Sequence, residues 1–349
     1  VTQAPQVLAS VAGGGTIAGL REEWMAACLA YDERWAEQIM NQAFAFYPPE
    51  TVVVELVQRV VAKVGEGWYQ GQVTVHQEHF CSSLAIRRLE TLVMAAPPPS
   101  RPGRILVACP SQEQHIIGPL LLTFLLRRQG WEVVYLGANV PAERLEITVA
   151  VAQPQLVILS AQQLHTAATL MKMAQVLQRE GVPMAYGGLI FNLLPALRQR
   201  IPGHFLGERL EAAPQAVESL MVAPRPVPAA EPIPEVYHQA WEHFEDRQSL
   251  VEAHVIQRLN AMGYAHNHVA LANRELSLNI GAALALGSMD FLRTDIEWVT
   301  GLIHNHRLPA EALYNYLETY YKTAREQLDA RGQPIVAWLG NVLNGYEPG

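Results

Sequence analysis

The strongest constraint on the fold is the run from Arg104 to Met221, where short apolar segments alternate with helical ones. Arg104–Cys109, Glu132–Leu136, Leu156–Ser160, Pro183–Tyr186 and His204–Leu206 are each brief and mostly apolar, as strands buried on both faces must be. Helical stretches of roughly ten to fifteen residues separate them. This alternation predicts a doubly wound parallel sheet of the flavodoxin-like, Rossmann-type class.

Two proline-rich stretches bound that run, Pro97–Gly103 and Ala223–Glu235. Proline stiffens the chain and lacks a backbone donor, so both read as linkers. They predict three domains, at residues 15–96, 104–221 and 236–349. In the first, Ile17–Tyr31, Glu33–Phe46, Pro49–Gly65 and Val73–Met94 carry helical periodicity. Thr16 and Asp32 are placed as N-caps and Pro49 in a first turn, which predicts a four-helix bundle. The third block is helical throughout, in Tyr237–Met262, Val269–Gly287, Phe291–Asn305, Pro309–Arg331 and Pro334–Leu343. It suits a bundle or a globin-like domain. The class is therefore α/β plus all-α.

Half the residues are apolar and 17% are charged, which excludes a disordered chain. Net charge is −8 with no Lys/Arg-rich run, so direct nucleic-acid binding by this segment is not expected. The apolar run Pro119–Leu126 is far too short to span a bilayer, and no membrane partner is expected. The N-terminal residues lack the pattern of a signal peptide. Cys28, Cys81 and Cys109 are widely spaced and odd in number. That disfavours a disulfide framework or a zinc site and suits a reducing cytoplasm. The chain begins at Val1, which suits a processed product or a segment of something longer, the latter with room for a further domain upstream.

Ligands of doubly wound folds bind outside the carboxyl ends of the strands. The loop after the first strand, Pro110–Gly118, carries Glu113, His115 and Gly118. A histidine there can present a neutral imidazole to a metal. A carboxylate two residues earlier can take the other ring proton and fix the tautomer. Gly118 lets a bulky planar ligand approach the backbone. Taken alone, such a loop histidine is more often a plain surface residue.

The wider pattern points further. This block resembles the cobalamin-binding fold of methionine synthase and corrinoid proteins, whose pattern is Asp/Glu-x-His-x-x-Gly, then a serine, then a Gly-Gly pair. Here 41 residues separate Gly118 from Ser160, and Gly187-Gly188 follows the fourth strand. Gln162 stands where that pattern usually has Leu. The resemblance implies that His115 is the lower axial cobalt ligand, displacing the cofactor's own base. It also implies that the nucleotide tail runs past Ser160 and the glycines.

In the first block, Trp68 is followed after nine residues by Glu78-His79. Core tryptophan and a solvated Glu-His pair would be the ordinary reading of either element. The spacing resembles the Trp-x9-Glu-His motif of light-sensing, adenosylcobalamin-dependent regulators of the CarH type. The residues place Trp68 on a loop Gly65–Gly71 and Glu78 and His79 on the next helix; the resemblance implies a bundle capping the upper corrin face, with Trp68 shielding the adenosyl group and Glu78 and His79 near it. In that family a histidine directly after the tryptophan can ligate cobalt after photolysis. Here that position is Tyr69, and His76 or His79 is the alternative.

A helical domain after the cobalamin domain is similar to the photocobilins, in which biliverdin sits close to cobalamin. This likeness rests on architecture. An open-chain tetrapyrrole needs an apolar cleft, cations for two propionates and polar groups for its nitrogens. Tyr264, His266 and His268 form one candidate cluster between helices and His304, His306 and Arg307 another, while Arg258, Arg274 and Arg293 suit the propionates. No cysteine follows Cys109, so a bilin in this block would be noncovalent. The same histidines would also suit a haem, a helix C-terminus or no ligand, and Tyr314, Tyr316, Tyr320 and Tyr321 suit packing. The two His-Asn-His triplets, at 266–268 and 304–306, lie in helical sequence and do not read as a nuclease motif.

The expectation is a homo-oligomeric light sensor binding adenosylcobalamin and biliverdin, and not an enzyme. The alternatives are a corrinoid carrier of a methyltransferase system and an interaction module without a cofactor.

Overall fold

The computed structural model describes residues 15–305 and 310–345, apart from the side chains of residues 302–304 and 310. It divides into two compact units. One is Val1–Trp68 with Gln72–Leu89, the other Tyr69–Gly71 with Glu90–Gly349.

The first unit is helical. It comprises α1 (Ile17–Leu29), α2 (Glu33–Phe46), α3 (Pro49–Val52), a π-helical stretch Val53–Gln58, α4 (Arg59–Tyr69) up to Trp68 and most of α5 (Val75–Met94). Both expected N-caps form: Thr16 Oγ1 accepts from Gly19 N at 3.1 Å and Asp32 from Trp35 N at 2.9 Å. The apolar faces bury Leu20, Trp24, Ile39, Met40, Leu56 and Leu84.

Two features differ from the sequence expectation. Helix α4 continues to Tyr69, so Trp68 sits in a last helical turn and not in a loop. The chain stops there because the Gly67 carbonyl accepts from both Gln72 N (2.8 Å) and Val73 N (3.0 Å). A Cβ on Gly67 would meet Val73 at 2.7 Å, so that glycine serves close packing rather than a loop. The second feature is that Cys28 and Cys81 meet. Both are buried free thiols, and the Cys28 contact, followed by burial, pushes the Cys81 thiol well up.

In the second unit the described residues include β1 (Arg104–Pro110), α6 (Ile117–Arg128), β2 (Glu132–Val140), α7 (Leu145–Ala152), β3 (Leu156–Ser160), α8 (Leu164–Arg179), β4 (Met184–Gly187), α9 (Ile190–Leu193), β5 (His204–Phe205) and α10 (Ala213–Val222). The strands form a five-stranded sheet in the order β2-β1-β3-β4-β5, with every pairing parallel. Strand side chains alternate between faces. Ile105, Val107, Leu156 and Ile158 join Leu122, Leu126 and Val217 of α6 and α10 in one core. Leu106, Ala108, Val157 and Leu159 join α8 in the other. The topological switch lies between β1 and β3, where the rule for open sheets puts ligands.

The C-terminal helices are α11 (Glu235–Ala261), α12 (His266–Leu286), α13 (Arg293–Asn305), α14 (Ala310–Gln327) and α15 (Gln333–Asn344). Helix α12 packs on α8 and α11, and α11 also contacts α14. Their buried Phe244, Val255, Ile280, Leu284, Tyr320 and Leu339 continue the core that begins under the sheet.

Candidate functional site

The loop between β1 and α6 is held by its neighbours. Gln112 adopts φ +69° and Asn139 φ +53°, and Asn139 Oδ1 accepts from Gln112 N at 2.7 Å. Asn139 N in turn donates to the Glu113 carbonyl at 3.0 Å. Asparagine tolerates this left-handed conformation better than most residues.

Glu113 is fully buried. Its Oε1 accepts from His115 N at 2.9 Å and lies 2.6 Å from His115 Nδ1. Its Oε2 accepts from Gln162 N and from Thr166 Oγ1, both at 2.7 Å. Burial pushes the carboxyl up, but these hydrogen bonds from His115, Gln162 and Thr166 outweigh it and hold Glu113 below the usual carboxylate value. An ionised Glu113 makes Nδ1 the protonated ring nitrogen. Nε2 is then the nitrogen suited to ligate a metal, and its basicity is raised. The His115 side chain is 59% exposed while its partner carboxylate is 0% exposed, so the ring projects from a rigid, satisfied base.

The surroundings suit a large flat ligand. A Cβ on Gly118 or Gly187 would meet nothing within 4 Å, so both border open space. Gly188 has φ +122°, and a Cβ there would lie 1.9 Å from the Ala161 carbonyl. It draws the end of β4 against the end of β3. Ser160 Oγ, at that strand end, lies 3.4 Å from Gln162 Nε2, and Gln162 Oε1 accepts from Leu189 N at 2.9 Å. Gln162, where leucine is usual in the pattern, thus ties the Ser160 strand end to the Gly187-Gly188 turn. Beneath the loop, burial with a contribution from Glu113 pushes the Cys109 thiol up to about 12, so no thiolate competes with the imidazole.

Among the described residues no group of three or more His, Cys, Asp or Glu side chains is arranged to hold a metal ion. The residues present offer one exposed imidazole on a satisfied base, beside glycines that border open space, which fits a corrin that brings the remaining cobalt ligands.

Sequence reasoning missed Thr166 and His165. Thr166 is fully buried, and its only local signal is its place three residues after Gln163 at a helix start. Burial lowers the pKa of His165, which also feels the charges of Glu275, Glu113 and His115. His165 and Asn279 approach each other across α8 and α12, yet His165 Nδ1 and Asn279 Oδ1 lack a hydrogen bond of good geometry.

In the helical unit, Trp68 lies in the last turn of α4 and is partly buried. Thr74 and Gln77 cap α5 reciprocally, with Thr74 N donating to Gln77 Oε1 at 2.9 Å and Gln77 N to Thr74 Oγ1 at 3.2 Å. This sets the first turn that carries Glu78. Glu78 Oε2 lies 3.1 Å from His79 Nδ1, and its Oε1 accepts from Ser82 Oγ at 2.6 Å. His76 and His79 are both exposed.

The C-terminal candidates are dispersed. Tyr264 Oη accepts from Asn315 Nδ2 at 2.9 Å. His266 and His268 are exposed on the first turn of α12, and Arg274 is exposed farther along it. Arg293 is exposed beside Glu297 at 3.6 Å, and Arg258 pairs with Glu326. The side chain of His304, and all of His306 and Arg307, lie outside the described residues. Tyr316 Oη donates to Asn273 Oδ1 at 3.0 Å, and Tyr320 pairs with Ser277 at 3.3 Å. Those two tyrosines therefore belong to a closed buried network. Among the buried polar atoms of the C-terminal helices that make no hydrogen bond among the described residues are Asn279 Oδ1 on α12 and Thr294 Oγ1 and Asp295 Oδ2 at the start of α13. Burial pushes the Asp295 carboxyl up to about 7.

Comparison with known proteins agrees with this geometry. Residues 103–217 match the B12 binding domain family, and residues 20–92 match a second B12 binding domain family. Neither match reaches the C-terminal helices. The chain is 35% identical over 193 residues to the HTH-type transcriptional repressor CarH of Myxococcus xanthus, covering 54% of this chain and 64% of that protein. It is 38% identical over 89 residues to the repressor CarA of the same organism, covering 26% of this chain and 31% of that protein. The chain thus spans less than two thirds of either curated relative. In fold it is similar to the monomethylamine corrinoid protein of Methanosarcina barkeri, with a TM-score of 0.51 at 18% identity over 58% of this chain and 99% of that one. No described helix is long and apolar enough to cross a membrane. Two segments of the chain, a helical one and a parallel-sheet one, thus match B12 binding domain families, and the chain is similar to the repressor CarH over about half of its length.

Proposed function

We propose that this chain is a light sensor that holds adenosylcobalamin base-off, with His115 as the lower axial cobalt ligand, and biliverdin noncovalently among its C-terminal helices. Residues 15–96 then act as the cap over the upper corrin face, 104–221 as the cobalamin domain and 236–349 as the bilin domain. The observation that carries the reading is the Glu113–His115 pair, 2.6 Å apart with the carboxylate fully buried, beside glycines that border open space.

Bound cobalamin supplies a cobalt–carbon bond that visible light breaks. Everything else falls to the chain. Glu113 orients His115 and keeps its proton on Nδ1. Gly118, Ser160, Gly187 and Gly188 receive the macrocycle and its tail. Trp68, Glu78 and His79 pack against the upper ligand. When that ligand leaves, Trp68 loses its packing and the cap rearranges, which shifts contacts in a homo-oligomer. His76 or His79 would be the residue to take the upper position afterwards, because Tyr69 stands where the family's histidine would be. Thr294 Oγ1 and Asp295 Oδ2, which make no hydrogen bond among the described residues, support a ligand with N–H groups near the start of α13. The output is an upstream domain or a partner in the cytoplasm, and the chain itself performs no catalysis.

The test is an absorption spectrum of the chain with adenosylcobalamin and biliverdin, before and after green light. The reading expects a cobalamin spectrum that converts on illumination and an added red band. Cobalamin conversion without a red band removes the bilin. Trp68→Ala is expected to alter the rate or extent of conversion while cobalamin still binds, and an unchanged photoresponse would remove Trp68 from the account.

A second reading, a corrinoid carrier for methyl transfer, is favoured by the fold likeness to the monomethylamine corrinoid protein. It predicts stable methyl loading and no light-driven conformational response. The Trp68-x9-Glu78-His79 spacing favours the adenosyl ligand.

A further inference from the structure

The residue after Trp68 is Tyr69, and Tyr69–Gly71 belongs to the second unit together with the C-terminal helices. Four observations tie this turn to α13. The Tyr69 ring stacks on Trp298, with centroids 5.9 Å apart and planes inclined by 22°. Asn305 Nδ2 donates to the Tyr69 carbonyl at 3.0 Å. The Tyr69 hydroxyl lies over Gly301, where a Cβ would come within 2.0 Å of it. Gly71, at φ +71°, lies so close to the Asn305 carbonyl that a Cβ would be 2.8 Å from it. Two glycines on opposite sides of the contact, a stacked ring pair and a side-chain hydrogen bond make a fitted joint spanning more than 230 residues of sequence.

We propose that Tyr69 is a positioning residue for Trp68, and that its joint with α13 couples the Trp68 turn to the C-terminal helices. The proposal rests on the reading of Trp68 as the residue facing the upper cobalamin ligand. It also accounts for the departure at this position. A histidine here could turn toward a metal, whereas this tyrosine is committed to Trp298 and Gly301. A displacement of Trp68 pulls on its covalent neighbour, and so on the helix that carries Asp295.

The test uses the full chain and amide hydrogen exchange of α13. Gly→Ala inside a helix ordinarily stabilises it. With Tyr69 over Gly301 the sign reverses. Gly301→Ala is expected to speed α13 exchange roughly threefold to tenfold, the range of an aromatic contact. Tyr69→Ala should do the same, and in that background Gly301→Ala should slow exchange, a sign change that marks direct coupling. Tyr69→Phe keeps the ring and should match the wild type. These rates are read without cofactor, so they decide the joint independently of the cobalamin reading. With adenosylcobalamin bound, Tyr69→Ala should change the rate of green-light conversion at unaltered cobalamin affinity, with recovery in Tyr69→Phe. Slower α13 exchange in Gly301→Ala alone, or wild-type conversion in Tyr69→Ala, overturns the proposal. A wild-type chain with no cobalamin spectrum would overturn the functional reading instead, and would leave the joint to the exchange data.

Discussion

Glu113 is fully buried and Asp295 half-buried in the same unit, and their surroundings have opposite effects on the two carboxyl groups. Glu113 receives hydrogen bonds from His115, Gln162 and Thr166 and is held below its usual value despite burial. Asp295 has an oxygen with no partner and burial pushes it up to about 7. Burial alone therefore does not set a charge state; the donors around the group do. The first site is complete before any ligand arrives. The second leaves one carboxyl oxygen without a hydrogen bond among the described residues.

Glu113→Gln is expected to have the largest effect on this contrast. The amide nitrogen would face donors, so stability should fall by about 3 kcal/mol, and cobalamin affinity by roughly tenfold to a hundredfold. Urea unfolding and a spectral titration measure the two separately. A fall in stability alone would mean that the carboxylate braces the loop without tuning His115.

Asp295→Asn tests the other carboxyl. A raised acid pKa means that the folded state holds its proton more tightly than the unfolded chain does. That contribution is present below the usual value near 4 and is lost as pH rises through about 7. The variant carries no such penalty, so its stability gain over the wild type should grow from pH 5 to pH 7 and level off above. The gain should reach about 2–4 kcal/mol, as read from urea midpoints across that range. A pH-independent difference would mean that Asp295 is already paired.

Thr166→Val should cost least, about 1–2 kcal/mol. It removes one of the donors to Glu113 Oε2 and leaves the Gln162 N–H in place. A loss as large as that of Glu113→Gln would mean that the hydroxyl, and not the backbone, orients the carboxylate.

These two sites were unequally legible in the sequence. The strands of the sheet are short apolar runs, and all five appear close to where periodicity puts them. Strand β2 is longer than expected, continuing through Gly137 at φ +85° to Val140. Glycine punctuates sequence, but here it bends a strand without ending it. The same residue type misled at Gly67, which marks packing against Val73 and leaves Trp68 in a helix. The Glu113–His115 pair was legible because both partners lie in one loop. Thr166 was not, since it reaches Glu113 from 53 residues away. Asp295 reads locally as an acid in a first helical turn, the ordinary place for one. Only tertiary packing removes its solvent, and no local pattern records that. The contact between Cys28 and Cys81 was hidden by the same sequence distance.

The central claim is that His115 ligates cobalt from below. Electron paramagnetic resonance of cobalt(II) cobalamin bound to uniformly nitrogen-15-labelled protein tests it most directly. Ligation by the protein imidazole predicts that each cobalt line splits into a doublet, and that this splitting disappears in His115→Ala. A triplet from the cofactor's own unlabelled base, unchanged in His115→Ala, would contradict the account.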